Sequence, residues 1–272
     1  MDELAERDAT GEVAAIYDEI RRFWAVPYVS SMQRHLATRP GWLPWAWAAL
    51  GPVFAGGVAQ TAAWRAAGGL DVPRLPPISR DALSVWGVDH AGETAIRATC
   101  ESFIRASPVN LVLSGLLRRL LGGERPIGRI DSGTRWAPPP AVPSLPALVD
   151  LAALAPAERG VLLSLATPVD GRPFVPGLYR MLARWPRFIA HVATVLRPHV
   201  VDPETRAVCR RLLDAVDAEI PAVWAALPPL PAEPPMPART EFAAVLAALD
   251  AYRTTSPEMV VFSRMIRDTL PR

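Results

Sequence analysis

An all-α fold made of two copies of one helical unit is what this sequence predicts, and three observations predict it. Period-two alternation of apolar and polar residues nowhere lasts more than a few positions, whereas helical spacing recurs throughout. The stretch 27–52 is written a second time, altered, at 173–198, where an offset of 146 pairs Pro27 with Pro173, Tyr28 with Phe174, Val29 with Val175, Arg34 with Arg180, Leu36 with Leu182, Pro40 with Pro186 and Pro52 with Pro198. A second echo at an offset of 149 sets 103–121 against 252–270, matching Ser107, Pro108, Val112, Ser114, Arg118 and Leu121 to Ser256, Pro257, Val261, Ser263, Arg267 and Leu270. A unit of this length is domain-sized, not a short-period solenoid. The expected organisation is a first helical repeat over 1–121, a Pro-rich linker over 122–147 and a second repeat over 148–272, packed as an internal pseudo-dimer with a groove between the repeats.

The elements follow in order. Val13, Ile16, Tyr17, Ile20 and Trp24 recur at helical spacing over 9–24, with Thr10 as the cap. Val26-Pro27 breaks that pattern and starts the signature helix at 28–38. Pro40 then opens a short helix holding Trp42, Trp45 and Trp47, and Pro52 a longer one through Ala67. Tryptophans at i, i+3 and i+5 cannot share one face, so at least one lines something apart from the main core. A proline-broken loop at 71–77 precedes a helix over 79–106, Ser107-Pro108 restarts a helix to Leu121, and Gly122-Gly123 ends it. The second copy opens at 148–166, turns at 168–171, repeats the signature helix at 174–184 and continues at 186–197. Asp202-Pro203 caps a long helix to about Ala226, 227–238 is a second proline-rich break, and helices at 239–253 and 257–270 close the chain.

Composition excludes several functions. Half of the 272 residues are hydrophobic, ample for a core, and the 30 prolines, about 11 per cent of the chain, punctuate helices. All 29 basic residues are Arg, which removes Schiff-base and phosphate-loop lysine chemistry. They are dispersed against 27 acidic residues for a net charge of +2, with no basic run to suit nucleic acid. The amino terminus is acidic where a signal peptide is basic, and no apolar run approaches 18 residues, so the expectation is a cytoplasmic protein without a membrane partner. Cys100 and Cys209 read as small buried hydrophobes. His35, His90, His191 and His199 stand apart from one another, and the Asp89-His90-x-x-Glu93 stretch reads as a polar helix surface, so neither a metal nor a cofactor is expected.

The helix Glu12-Val13-Ala14-Ala15-Ile16-Tyr17-Asp18-Glu19-Ile20-Arg21, then Pro27-Tyr28-Val29, Arg34-x-Leu36-Ala37-x-x-Pro40, Pro108-x-Asn110-Leu111 and Leu178-Tyr179-Arg180-x-Leu182-Ala183-x-Trp185-Pro186, resembles the group I 2-haloacid dehalogenase family over about residues 10–270. The resemblance implies an all-helical pseudo-dimer with its site between the repeats, no cofactor, and an Asp in the second signature helix that activates water to displace halide from a small 2-halo acid without a covalent ester. In the family that Asp, after a Ser, stands immediately before the aromatic residue of the helix. Here the corresponding residues are Gly177-Leu178-Tyr179, and leucine takes no proton.

Candidate ligand-contacting residues are Tyr28, Ser31, Arg34 and Trp42 from the first copy, Asn110 from the Pro-x-Asn-Leu stretch, and Leu178, Tyr179 and Arg180 from the second copy. Arg34 and Arg180 either present guanidinium forks to an anion or tie each repeat to itself. Asn110, opposite Met259 in the echo, is not explained by duplication. Asp170 is the carboxylate in sequence nearest the missing base, with a turn role beside Gly171 as its other reading. The functional expectation is a protein of this family that binds a small, anionic organic molecule in the inter-repeat groove. The alternative is a hydrolytic 2-haloacid dehalogenase with a displaced base such as Asp170, and a third reading is an interaction module that associates further, for instance as a homodimer.

Overall fold

The computed structural model describes residues 2–129, 136–169 and 171–271. Their regular secondary structure is helical apart from one hairpin. Eleven α-helices run among the described residues: α1 (Gly11–Trp24), α2 (Ser31–Leu36), α3 (Trp42–Ala55), α4 (Val58–Gly68), α5 (Arg80–Val85), α6 (His90–Leu121), α7 (Pro156–Leu163), α8 (Gly177–Leu182), α9 (Pro186–Val201), α10 (Pro203–Ala225) and α11 (Phe242–Thr269). The hairpin pairs β1 (Thr167–Val169) antiparallel with β2 (Arg172–Phe174), an addition to the expected helices that three-residue strands left no alternation to reveal. The bounds of α2 and α8 stand 146 residues apart at both ends, the offset of the first echo. The described parts of 122–147, and 227–238, carry no helix or strand.

Several expected breaks are absent. Pro108 lies inside α6 and Pro257 inside α11, so each expected helix pair is one helix; Pro52 likewise lies inside α3, which begins only at Trp42. A proline withholds the N–H that the carbonyl four residues earlier would bond. The flanks compensate, since Ala106, Ser107, Val109 and Asn110 around Pro108, and Thr255, Ser256 and Met259 around Pro257, are all buried. Burial of both sides carries the helix across the missing bond. The true break after α3 is Gly56-Gly57: Gly57 has φ +74°, and a Cβ there would stand 2.2 Å from the Trp136 ring, so only glycine fits. Thr10 precedes α1 without a side-chain cap bond, whereas Asp202 caps α10 as expected, its Oδ2 accepting from the Thr205 N–H and hydroxyl at 2.8 Å each.

The chain forms two compact units, each drawing segments from both sides of the 122–147 stretch. Unit 1 is 1–69, 105–141 and 212–256; unit 2 is 70–104, 142–211 and 257–272. In unit 1 the core is aromatic. Trp47 stacks on Phe54 at 5.9 Å and on Phe23 at 6.3 Å, Trp24 stacks on Phe54 at 4.8 Å, and Trp42 meets Trp45 and Phe242 edge-on at 6.0 and 5.6 Å. All three α3 tryptophans are buried in the core, so none is set apart from it as the spacing led one to expect; the core instead surrounds α3, with Trp42 and Trp47 facing different partners.

Unit 2 is aliphatic by contrast. Its core gathers Leu83, Ile96 and Phe103 with Leu162, Leu178, Leu182, Phe188 and Leu196, closed by Val261, Phe262 and Ile266 of α11. The Ile78 N–H bonds the Thr269 carbonyl at 2.8 Å, holding the segment before α5 to the end of α11.

Candidate functional site

Unit 1 holds a buried polar network centred on Asn110, in the second half of α6. Asn110 is 1% exposed, and its Oδ1 accepts from Trp24 Nε1 at 2.8 Å and from Gln33 Nε2 at 2.6 Å. Its Nδ2 donates to the Tyr252 hydroxyl at 3.0 Å. Ser30, just ahead of α2, donates its hydroxyl to Gln33 Oε1. Tyr252 also bonds Ser30 and Ser256; burial raises its phenol pKa while these hydrogen bonds oppose the rise. One amide thereby joins α1, α2, α6 and α11 in a low-dielectric interior where unpaired polar atoms are costly. Next to Tyr252, Arg253 holds Asp217 bidentately at 2.5 and 2.7 Å and donates to the Leu111 carbonyl at 3.1 Å and the Ser114 hydroxyl at 3.0 Å, fixing α11 to α6 and α10 within the unit.

The other first-copy candidates sit around this network. Tyr28 precedes α2, its phenol pKa pushed well above the usual value by desolvation and then by the charges of Tyr252 and Glu6. Ser31 is the first residue of α2. Arg34 pairs with Glu3 at 2.5 Å, and its carbonyl accepts from the Leu4 N–H at 3.0 Å, which clips the amino-terminal segment onto α2. Trp42 is fully buried and donates its indole N–H to Glu241.

The second-copy candidates lie in unit 2. Leu178 is 0% exposed within the aliphatic core. Gly177 faces Leu148 and Phe103, and a Cβ on it would rest at 3.5 Å from each, an ordinary contact. Arg180 mirrors Arg34: its Nε donates to the Val149 carbonyl at 3.0 Å, and its own carbonyl accepts from the Val149 N–H at 3.3 Å. Asp170 lies outside the described residues.

Tyr179 and Glu258 complete the picture. Tyr179 is 1% exposed and its hydroxyl has no hydrogen-bond partner. Burial holds its phenol well above the usual pKa, with the Glu258 charge the next cause. Glu258, on α11, accepts from the Thr167 hydroxyl at 2.8 Å. Burial raises its carboxyl pKa, opposed by that hydrogen bond and by the Arg206 charge. Sequence reasoning passed over Glu258. The available signal was the second echo, in which this acid stands opposite Val109 amid apolar neighbours.

The remaining polar clusters have structural duties. Asp89 Oδ1 accepts from the Gly92 N–H at 2.7 Å at the start of α6, and Glu93 pairs with Arg97 at 2.9 Å. Burial pushes the Cys100 and Cys209 thiols up to about 12, which favours the neutral thiol over the nucleophilic thiolate at neutral pH; Cys100 is buried as expected, whereas Cys209 is only partly so. Among the described residues no group of three or more His, Cys, Asp or Glu is placed to hold a metal ion, and no helix is long and apolar enough to cross a membrane.

This all-helical architecture is that of the D-2-haloacid dehalogenases. A mutant of that enzyme in complex with D-2-CPA matches with a TM-score of 0.76 over 99% of this chain and 95% of its own, at 18% identity. The enzyme in complex with L-LA matches with the same TM-score and identity over 99% and 96%. In sequence, the chain is homologous to a configuration-inverting 2-haloacid dehalogenase of Alcaligenes xylosoxydans xylosoxydans, 26% identical over 226 residues that cover 79% of this chain and 76% of the relative. No protein-family model matches the chain.

Proposed function

We propose that this homologue of the 2-haloacid dehalogenases binds a small organic acid and does not run the family's hydrolysis through α8. The observation that carries the reading is Leu178, fully buried in aliphatic surroundings at the position where the group I resemblance places the water-activating Asp. A leucine neither accepts a proton nor orients a water, and general-base catalysis needs both. The small-acid class is supported by the relatives, one described as a configuration-inverting 2-haloacid dehalogenase and one solved as a D-2-haloacid dehalogenase mutant with D-2-CPA. The test is halide release from racemic 2-chloropropionate by native protein and by the Gly177→Ser/Leu178→Asp double variant, beside calorimetric binding of the same acid. Binding without release by the native protein is expected; release by the native protein overturns the reading.

A second reading keeps hydrolysis with a base outside α8, and Glu258 is the observation that favours it. Its carboxylate would take a proton from water as the water oxygen bonds the α-carbon and the carbon–halogen bond breaks, halide leaving with the bonding pair. Native halide release that disappears in Glu258→Gln would establish this reading over the first.

A further inference from the structure

None of residues 2–8 is buried, and polar bonds fasten this segment of unit 1 to α1 and α2 like a strap. Two glutamates hold it at different places. Glu6 accepts from the Val29 N–H at 2.9 Å on one carboxylate oxygen and from Arg21 on the other. Glu3 pairs with Arg34 at 2.5 Å. Between them the Leu4 N–H donates to the Arg34 carbonyl at 3.0 Å, and the Leu4 carbonyl accepts from the Tyr17 hydroxyl at 3.4 Å. His35 Nδ1 stands 2.9 Å from the Asp2 carbonyl.

The two anchors differ in fit. Glu6 uses both of its oxygens, whereas Glu3 meets Arg34 through Nη2 and leaves Nε of the same guanidinium buried with no acceptor. A buried donor without a partner is rare in folded proteins. Nε and Nη2 together form a fork that matches the two oxygens of one carboxylate. Arg65 shows that arrangement complete, its Nε donating to Glu219 Oε1 at 3.1 Å and its Nη2 to Oε2. Arg34 therefore has a carboxylate in place but only half of the bond it can make.

We propose that Arg34 is a binding site for a small monocarboxylate and that Glu3 is its tethered stand-in. The ligand displaces Glu3, lifts residues 2–4 from α2 and takes Nε and Nη2 side-on, while Glu6 keeps the strap attached through Arg21 and Val29. One carboxylate replaces another, so the charge beside Arg34 is unchanged and no covalent bond forms or breaks. Tethering holds Glu3 at high effective concentration, which makes it a competitor that a free acid must outbid. The inference rests on the small-acid reading above and adds to it a location and a built-in competitor.

Calorimetry with racemic 2-chloropropionate on native protein, Glu3→Gln and Arg34→Gln tests it, beside amide exchange at Leu4 and Val29 followed by NMR. Glu3→Gln binds about three- to fivefold more tightly than native protein, because a partly exposed ion pair no longer competes. Arg34→Gln binds about tenfold more weakly or worse. Adding the acid to native protein speeds exchange at Leu4 and leaves Val29 protected, a loosening on binding that a purely structural ion pair would not give. Affinity unchanged in either variant, or Leu4 exchange that the acid leaves unchanged or slows, overturns this inference and leaves the small-acid reading standing. Binding by neither native protein nor Glu3→Gln overturns both.

Discussion

At equivalent positions of the two echoes the units carry opposite chemistry. Where unit 1 has Gln33, Asn110 and Tyr252, unit 2 has Tyr179, Met259 and Phe103, at offsets of 146, 149 and 149. In unit 1 those side chains bond one another and Trp24 into a closed network, so each polar atom finds its partner inside the protein. In unit 2 the asparagine has become a buried methionine and the tyrosine a phenylalanine packed beside Gly177, while Gln33's counterpart, Tyr179, keeps a hydroxyl with nothing to bond. At these echo-related positions the polarity of unit 1 fixes structure, whereas the Tyr179 hydroxyl of unit 2 is left over.

The sharpest way to break this comparison is to put an acid at Leu178. Leu178→Asp places a carboxyl in a fully buried aliphatic site, where we expect a loss of about 4 kcal/mol or more, read as a large fall in melting temperature. Burial raises the new carboxyl's folded pKa above its unfolded value, so the variant is at its least unstable below the unfolded pKa and weakens as pH rises. Gly177→Ser alone costs little, because its Cβ meets only ordinary contacts. A Leu178→Asp protein as stable as native at neutral pH would show that water reaches this site and that unit 2 is not the dry counterpart of unit 1. Next in size is Asn110→Met, which writes unit 2's residue into unit 1. It strips the acceptor from Trp24 and Gln33 and the donor from Tyr252, at about 3 kcal/mol. Thermal unfolding that barely moves would mean the network is not what holds α1, α2 and α11 to α6.

Part of this architecture was legible because an echo carries element bounds with it: the helix at Gly177 to Leu182 has the bounds of the one at Ser31 to Leu36 shifted by 146, although both are shorter than the 28–38 and 174–184 expected and Phe174 belongs to a strand instead. What was not legible depended on packing. Ser107-Pro108 and Ser256-Pro257 both signal a helix start by local chemistry, yet burial on either side runs a single helix through each. The composition of the units is equally hidden, because 70–104 and 212–256 each group with segments from beyond the 122–147 stretch, and no period in the sequence marks an exchange of that kind. Asn110 stood out as the asymmetric member of an echo, but its partners at 24, 33 and 252 share no spacing that a pattern search detects. Glu258 hid for the same reason, since its meaning comes from burial and from Thr167, 91 residues earlier.

Arg34 and Arg180 sharpen the comparison from the opposite side, being an identical pair at the offset of 146. Each guanidinium bonds the segment leading into its own unit, Glu3 for one and the Val149 carbonyl for the other. Arg34→Ala removes a partly exposed ion pair, and we expect a loss of about 1 kcal/mol. Arg180→Ala removes a single charge-assisted bond to a carbonyl, with a loss of similar size. If either variant abolished acid binding while the melting temperature stayed put, the guanidinium would belong to the ligand and not to the clip.

The smallest effect concerns pH alone. Because burial raises the Glu258 carboxyl in the folded protein above its unfolded value, folding favours its protonated form. Its contribution to stability is therefore complete below the unfolded pKa, fades as pH rises through the folded pKa, and is gone above it. Asn110's network in unit 1 contains no carboxylate and contributes no such slope. Melting temperatures taken from about pH 4 to 8 should accordingly fall slightly more steeply for native protein than for Glu258→Gln, whose amide keeps the Thr167 hydrogen bond without titrating. Parallel curves would place the Glu258 carboxylate in contact with water when charged, and unit 2's leftover polarity would then reduce to the unpartnered hydroxyls of Tyr179, Ser102 and Ser263.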